Sequence, residues 1–172
     1  MTRAGALYRA GRALRGLAPF ASILLLVFIG ALPFPVPGLS PVMPALTVIA
    51  VYYWSIYRPD LLPLVATFFI GLVQDAIQGT PLGMSALVLL LVQGTVVSQR
   101  RFFRGKTFLV EWWGFMLVAP VAALIGWLLI SAHAGTIVVP RPLGVRLVLT
   151  FAAYPCLSWL LGRFQHRLLR GT

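Results

Sequence analysis

Only three of the 172 residues are acidic, Asp60, Asp75 and Glu111. Asp75 lies inside the apolar stretch Gly71 to Leu87, which reads GLVQDAIQGTPLGMSAL. A carboxyl group at membrane depth is costly, so it must be paired, hydrogen-bonded or protonated, and it marks a site by default. Thr67, Gly71, Gln74, Asp75 and Gln78 recur at helical spacing and form one polar or small stripe. Phe68, Phe69, Leu72, Val73 and Ala76 cover the rest of the same helix. A helix that is small and polar on one stripe and greasy elsewhere turns that stripe towards other helices. Gly79, Thr80, Pro81 and Gly83, with Leu82 among them, then break the helix. Two kinds of chemistry are open to Asp75. It locks or caps the break through hydrogen bonds, or it meets a proton, a ligand or a basic group of a partner.

The other reactive side chains are sparse. Glu111 is close in sequence to Arg104 and Lys106, which suggests a surface ion pair. His133 and His166 fall in solvent-facing stretches without spaced metal partners. The single cysteine, Cys156, allows no internal disulfide and no cysteine metal cluster, and its neighbours Tyr154 and Pro155 suggest packing in a kinked helix. No Gly-rich phosphate loop leads into Lys-Ser or Lys-Thr, and there is no histidine–glutamate metal helix and no nucleophile elbow. The reading is non-enzymatic, with no metal and no cofactor.

The elements that position these residues belong to a membrane. Hydrophobic residues make up 60% of the chain and charged ones 10%, against about 25% in soluble domains, and mean hydropathy is +0.94. Residues 1–16 form a basic N-terminal segment with Arg3, Arg9, Arg12 and Arg15, weakly amphipathic and suited to a membrane surface. A single transmembrane domain follows over 17–162, and 163–172 is a basic tail. Six apolar segments are predicted at about 17–32, 42–57, 61–78, 82–99, 108–131 and 143–161; five crossings is the rival count. Residues 33–44 carry five prolines and read as a stiff extended loop. Tyr52, Tyr53, Trp54 and Tyr57 read as an interfacial aromatic belt, followed by a turn at Arg58, Pro59 and Asp60. Gly83 and Gly94, with Ala86, Leu87 and Leu90 between them, suit helix packing on one face of the fourth segment.

Charge sets the orientation. With the N-terminus cytoplasmic, residues 1–16, 58–60, 100–106 and 163–172 face the cytoplasm and hold twelve of the fourteen basic residues. Arg141 and Arg146 alone face outward. The positive-inside rule is met on every loop, and both termini are cytoplasmic. In this setting a net charge of +11 signals topology and contact with anionic lipid rather than nucleic acid. The run RRFFRGK, with Arg100, Arg101, Arg104 and Lys106, is a cytoplasmic basic loop that sets topology and is free to contact lipid or a cytoplasmic protein.

A six-segment chain of this length carrying GLVQDAIQGTPLG, with the Arg58-Pro59-Asp60 turn before it, resembles the MreD family of bacterial rod shape-determining membrane proteins. Gly71, Asp75, Gly79, Leu82 and Gly83 match the family motif, with Gln74, Gln78 and Pro81 inside the same stretch. The resemblance implies an all-α inner-membrane fold of about six helices, similar to the substrate-binding subunits of energy-coupling-factor transporters. It also implies a role in lateral peptidoglycan synthesis. The partners it implies are the periplasmic scaffold MreC directly, and MreB, RodA and its penicillin-binding transpeptidase in the same assembly. A substrate-binding subunit of a small-solute, vitamin-type transporter is the alternative, resting on the likeness of fold and the polar stripe.

Overall fold

A computed structural model describes residues 19–32, 44–103, 107–136 and 141–169. The described residues form six α-helices and no strand: α1 (Pro19–Ala31), α2 (Leu46–Tyr57), α3 (Leu64–Gln78), α4 (Met84–Phe103), α5 (Phe108–Ala134) and α6 (Arg141–Leu169). Pro59–Leu61 adds one 3-10 turn between α2 and α3. The basic segment 1–16, most of the proline-rich loop, Arg104 and Lys106, and Pro140 lie outside the described residues.

Proline and glycine set the helix limits. Pro44 and Pro63 precede α2 and α3, so these helices start later than hydropathy alone predicts. They have 12 and 15 residues and are about 18 and 22 Å long at ~1.5 Å per residue, well short of a ~30 Å hydrocarbon layer. Gly79 and Gly135 end α3 and α5 in the left-handed conformation, which only glycine adopts without strain. Among the described residues, two helices are long and apolar enough to cross a membrane, Phe108–Ala134 and the Leu143–Arg163 part of α6. Both ends of the predicted fourth and sixth segments move. α4 begins after Gly83 and runs on through Arg100 and Arg101, so these two arginines form the last turn of a helix and not a loop. α6 likewise continues past Arg163, so the basic tail begins as helix. His133 belongs to the last turn of α5 and is exposed.

Contacts between named residues fix how the helices run. Trp54 Nε1 donates to Ser22 Oγ at 3.0 Å, which joins the end of α2 to the start of α1. The Ala45 amide donates to Thr150 Oγ1 at 3.0 Å, and the Tyr53 hydroxyl reaches Gly162, so α2 and α6 run parallel. α3 and α4 form an antiparallel hairpin, and Gly126 of α5 packs beside Val88 of α4.

α2 is the central helix. Every residue from Ile49 to Ile56 is buried, so the helix is covered on all sides. This corrects the interfacial-belt reading: Tyr52, Tyr53 and Trp54 are core residues. The Tyr52 ring packs edge-on against Phe115 at 5.2 Å, and Phe115 stacks on Tyr154 at 4.6 Å. The polar tips are satisfied from other helices, as buried amphipathic rings require: Tyr52 Oη donates to the Glu111 carbonyl at 2.8 Å. The outer helices present apolar stripes instead. Trp113, Leu117, Val121, Leu124 and Leu128 lie exposed along one line of α5. Cys156 is exposed rather than packed, because Pro155 and Cys156 lie on the open side of α6.

Candidate functional site

The Asp75 site is made from the end of α3, the turn that follows, and the first turn of α4. An α-helix begins with four backbone N–H groups that have no partner in the helix. Here the partner is the Asp75 carboxylate, which reaches across the turn. Its Oδ2 accepts from the Gly83 amide at 2.8 Å and its Oδ1 from the Ser85 amide at 3.0 Å. Thr80 Oγ1 donates to Oδ1 at 2.8 Å. The Asp75 carbonyl accepts from the Gly79 and Thr80 amides and closes the helix end. The side chain is completely buried. A negative charge at a helix N-terminus also meets the positive end of the helix dipole. The carboxylate therefore acts as the cap of a helix to which it does not belong.

The glycines permit this geometry in two ways. Gly79 and Gly83 hold φ of 67° and 99°, values costly for other residues, and so turn the chain back within five residues of the α3 end. Gly71 lets the two helices touch. A Cβ built on it would lie 2.5 Å from the Ala86 backbone nitrogen, a distance real Cβ atoms do not show. Gly71 and Asp75, one turn apart on α3, thus fasten the hairpin by contact and by hydrogen bond.

The other stripe residues divide. Thr67 and Gln74 are buried with Asp75, and Thr67 Oγ1 and Gln74 Oε1 are buried atoms without a hydrogen-bond partner. Gln78, the last residue of α3, is exposed and does not join the buried stripe. Pro81 is half-buried and Leu82 is exposed at the tip of the turn. The expected packing of Gly83 and Gly94 is absent, since a Cβ on either would meet no atom within 4 Å.

Arg58, Pro59 and Asp60 lie at the opposite end of the hairpin, with Arg58 and Asp60 exposed. Gln93 Nε2 donates to the Leu62 carbonyl at 2.6 Å and ties this turn to α4. Arg101 is exposed on the last turns of α4, at the same end. Among the described residues, the structure therefore sets the turn and Arg101 apart from the motif.

A second buried carboxylate was not anticipated. Glu111, near the start of α5, is buried and accepts from the Tyr57 hydroxyl, whose single proton is shared between the two carboxylate oxygens at 3.0 and 2.9 Å. Among the described residues, its side chain bonds to the Tyr57 hydroxyl; Arg104 and Lys106, the cations that proximity in sequence suggested, lie outside the described residues. The signal was present: Glu111 is an acid in an apolar segment, the same feature that singled out Asp75. Beside it a cavity of about 510 Å³ opens between α2, α5 and α6, with Tyr53, Tyr57, Phe108, Glu111 and Trp159 on its walls.

No curated protein and no solved structure matches the chain. The sequence model of the family described as rod shape-determining protein MreD matches residues 11–163. That match runs from before α1 to Arg163 within α6, and so takes in both buried carboxylates and every helix between them. A match of this extent establishes that the chain belongs to the MreD family, a family of membrane proteins that determine rod shape.

Proposed function

We propose that this chain is the integral membrane component of the bacterial cell-elongation machinery that binds the periplasmic scaffold MreC and supports lateral peptidoglycan synthesis. In this reading it works without catalysis, beside MreB, RodA and its penicillin-binding transpeptidase, in the inner membrane. It makes six crossings with both termini in the cytoplasm. The observation that carries the reading is the family match over residues 11–163. The alternation of helix direction and the excess of basic residues at one end support the topology. Short helices such as α2 and α3 are accommodated by local thinning of the bilayer or by their central position in the bundle. The stretch Gly71 to Gly83 serves as the structural centre of the outward end, where it gives a periplasmic partner a fixed surface around Leu82. No observation favours the solute-transporter alternative.

The test joins a cellular and a biochemical measurement. Depleting the chain from its own bacterium should convert rods into wide or round cells, and tagged protein should co-purify MreC from detergent-solubilised membranes. Unchanged cell width on depletion, together with no recovery of MreC, would overturn the proposal.

A further inference from the structure

The cavity beside Glu111 combines three features that the shape-determining role does not use. The first is a carboxylate with spare acceptor capacity. Two oxygens offer about four lone-pair positions, and the Tyr57 hydroxyl brings them a single shared proton. The second is an aromatic wall of Tyr53, Tyr57, Phe108 and Trp159, whose π-faces attract cations. The third is a cation at the rim: the Arg163 guanidinium lies 5.3 Å over the Trp159 ring, next to Gly162, which lines the cavity. Anionic floor, aromatic wall and cationic rim complement a small zwitterion. The volume, about 510 Å³, lies within the roughly 300–1,000 Å³ range of small-molecule sites. Phe108 and Trp159 are both exposed on the outside of the helix bundle, so the cavity is open to the surroundings of the bundle rather than to its core.

The geometry points to a site for the head group of a phospholipid carrying a primary amine, with the ammonium on Glu111 and the phosphate on Arg163. The free lone pairs of Glu111 call for N–H donors. A primary ammonium supplies three, and a quaternary ammonium supplies none. A head group with phosphate but no amine satisfies Arg163 and leaves the carboxylate facing the aromatic wall alone. In the proposed topology the site opens to the cytoplasmic leaflet, because the end of α2, the start of α5 and the end of α6 meet there.

The test is native mass spectrometry of the purified full chain, delipidated and then exposed to equal amounts of phosphatidylethanolamine, phosphatidylcholine and phosphatidylglycerol with identical acyl chains. The wild type should retain phosphatidylethanolamine over the other two by roughly five- to tenfold, the scale of one charge-assisted contact at a partly open site. Glu111→Gln keeps an acceptor for Tyr57 and should abolish the preference for the primary amine. Arg163→Gln should lower retention of all three lipids alike, since all share the phosphate. Trp113→Leu, at an exposed tryptophan outside the cavity, should leave the preference intact. Equal retention by the wild type would overturn the proposal, as would a preference that survives Glu111→Gln in protein of unchanged thermal stability. Loss of a co-purifying protein from Glu111→Gln with lipid selectivity unchanged would also overturn it, and would assign the carboxylate to a partner's basic side chain.

Discussion

The chain buries two carboxylates, and it treats them in opposite ways. Asp75 is satisfied from within its own hairpin, by donors five to ten residues further along the chain, with no open space at its oxygens. Glu111 is held by a tyrosine 54 residues away on another helix, and a cavity lies beside it. The first arrangement takes up two of the amides at the start of α4, those of Gly83 and Ser85, so it fixes a fold. The second leaves acceptor capacity unspent on the surface of the bundle, so it is available to something else. A buried acid in a membrane protein is thus not one kind of feature. How local its donors are, and whether space remains beside it, distinguish a lock from a site.

Substitutions separate the two. The largest effect is expected at Gly71. Gly71→Val drives a branched side chain into the Ala86 backbone, where nothing can move aside cheaply, and it should abolish the hairpin. Loss of membrane-inserted protein, measured by folded yield in detergent, checks this; a normal yield would mean that the two helices do not touch at Gly71.

Asp75→Leu comes next. It leaves the Gly83 and Ser85 amides without their acceptor, at a cost of about 1–3 kcal/mol for each buried group. The thermal midpoint should fall by several degrees, and co-purification of MreC should fall with it at matched membrane levels. Asp75→Asn should be milder. Its remaining oxygen, placed where Oδ2 lies, still accepts from Gly83 and Ser85, while its amide donates to Thr80 Oγ1. What is lost is the 3.0 Å bond from the Ser85 amide to Oδ1 and the negative charge at the helix N-terminus, the charge worth about 0.3–1 kcal/mol. An Asn variant as damaged as the Leu variant would show that the charge itself is needed and would make Asp75 a ligand site like Glu111.

The smallest effect is expected at Tyr57. Tyr57→Phe removes one donor from a partly open carboxylate and should change the thermal midpoint by no more than a few degrees, in keeping with about 1 kcal/mol for a hydrogen bond. A collapse comparable to Asp75→Leu would erase the contrast between the two acids.

What could be read in the sequence follows the same division. The Asp75 stripe was legible because its geometry is local: residues at i, i+4, i+7 and i+8 share a helix face whatever surrounds them. Gln78 failed the same arithmetic because the helix stops beside it at Gly79. The helix break at Gly79 to Gly83 was legible from glycine and proline, although its consequence, a carboxylate capping the next helix, was not. The function of Tyr52, Tyr53 and Trp54 was misread because an aromatic ring with a polar tip suits both an interface and a core with a buried partner. The partners, Ser22 and the Glu111 carbonyl, come from distant parts of the chain. Seven consecutive apolar or aromatic residues, Val48 to Trp54, cover every face of α2 and carried the answer, since a helix apolar all round belongs inside. Glu111 was missed for the same reason: the residue that holds it is close only after folding.

The measurement that bears most directly on this account is hydrogen exchange at the Gly83 and Ser85 amides, in lipid nanodiscs, for the wild type, Asp75→Leu and Glu111→Gln. If Asp75 caps α4, both amides are protected in the wild type, and Asp75→Leu speeds their exchange by roughly 30-fold or more, the equivalent of about 2 kcal/mol. Glu111→Gln leaves them unchanged. Fast exchange at both amides in the wild type, or protection that survives Asp75→Leu, would contradict the claim that this carboxylate locks the hairpin.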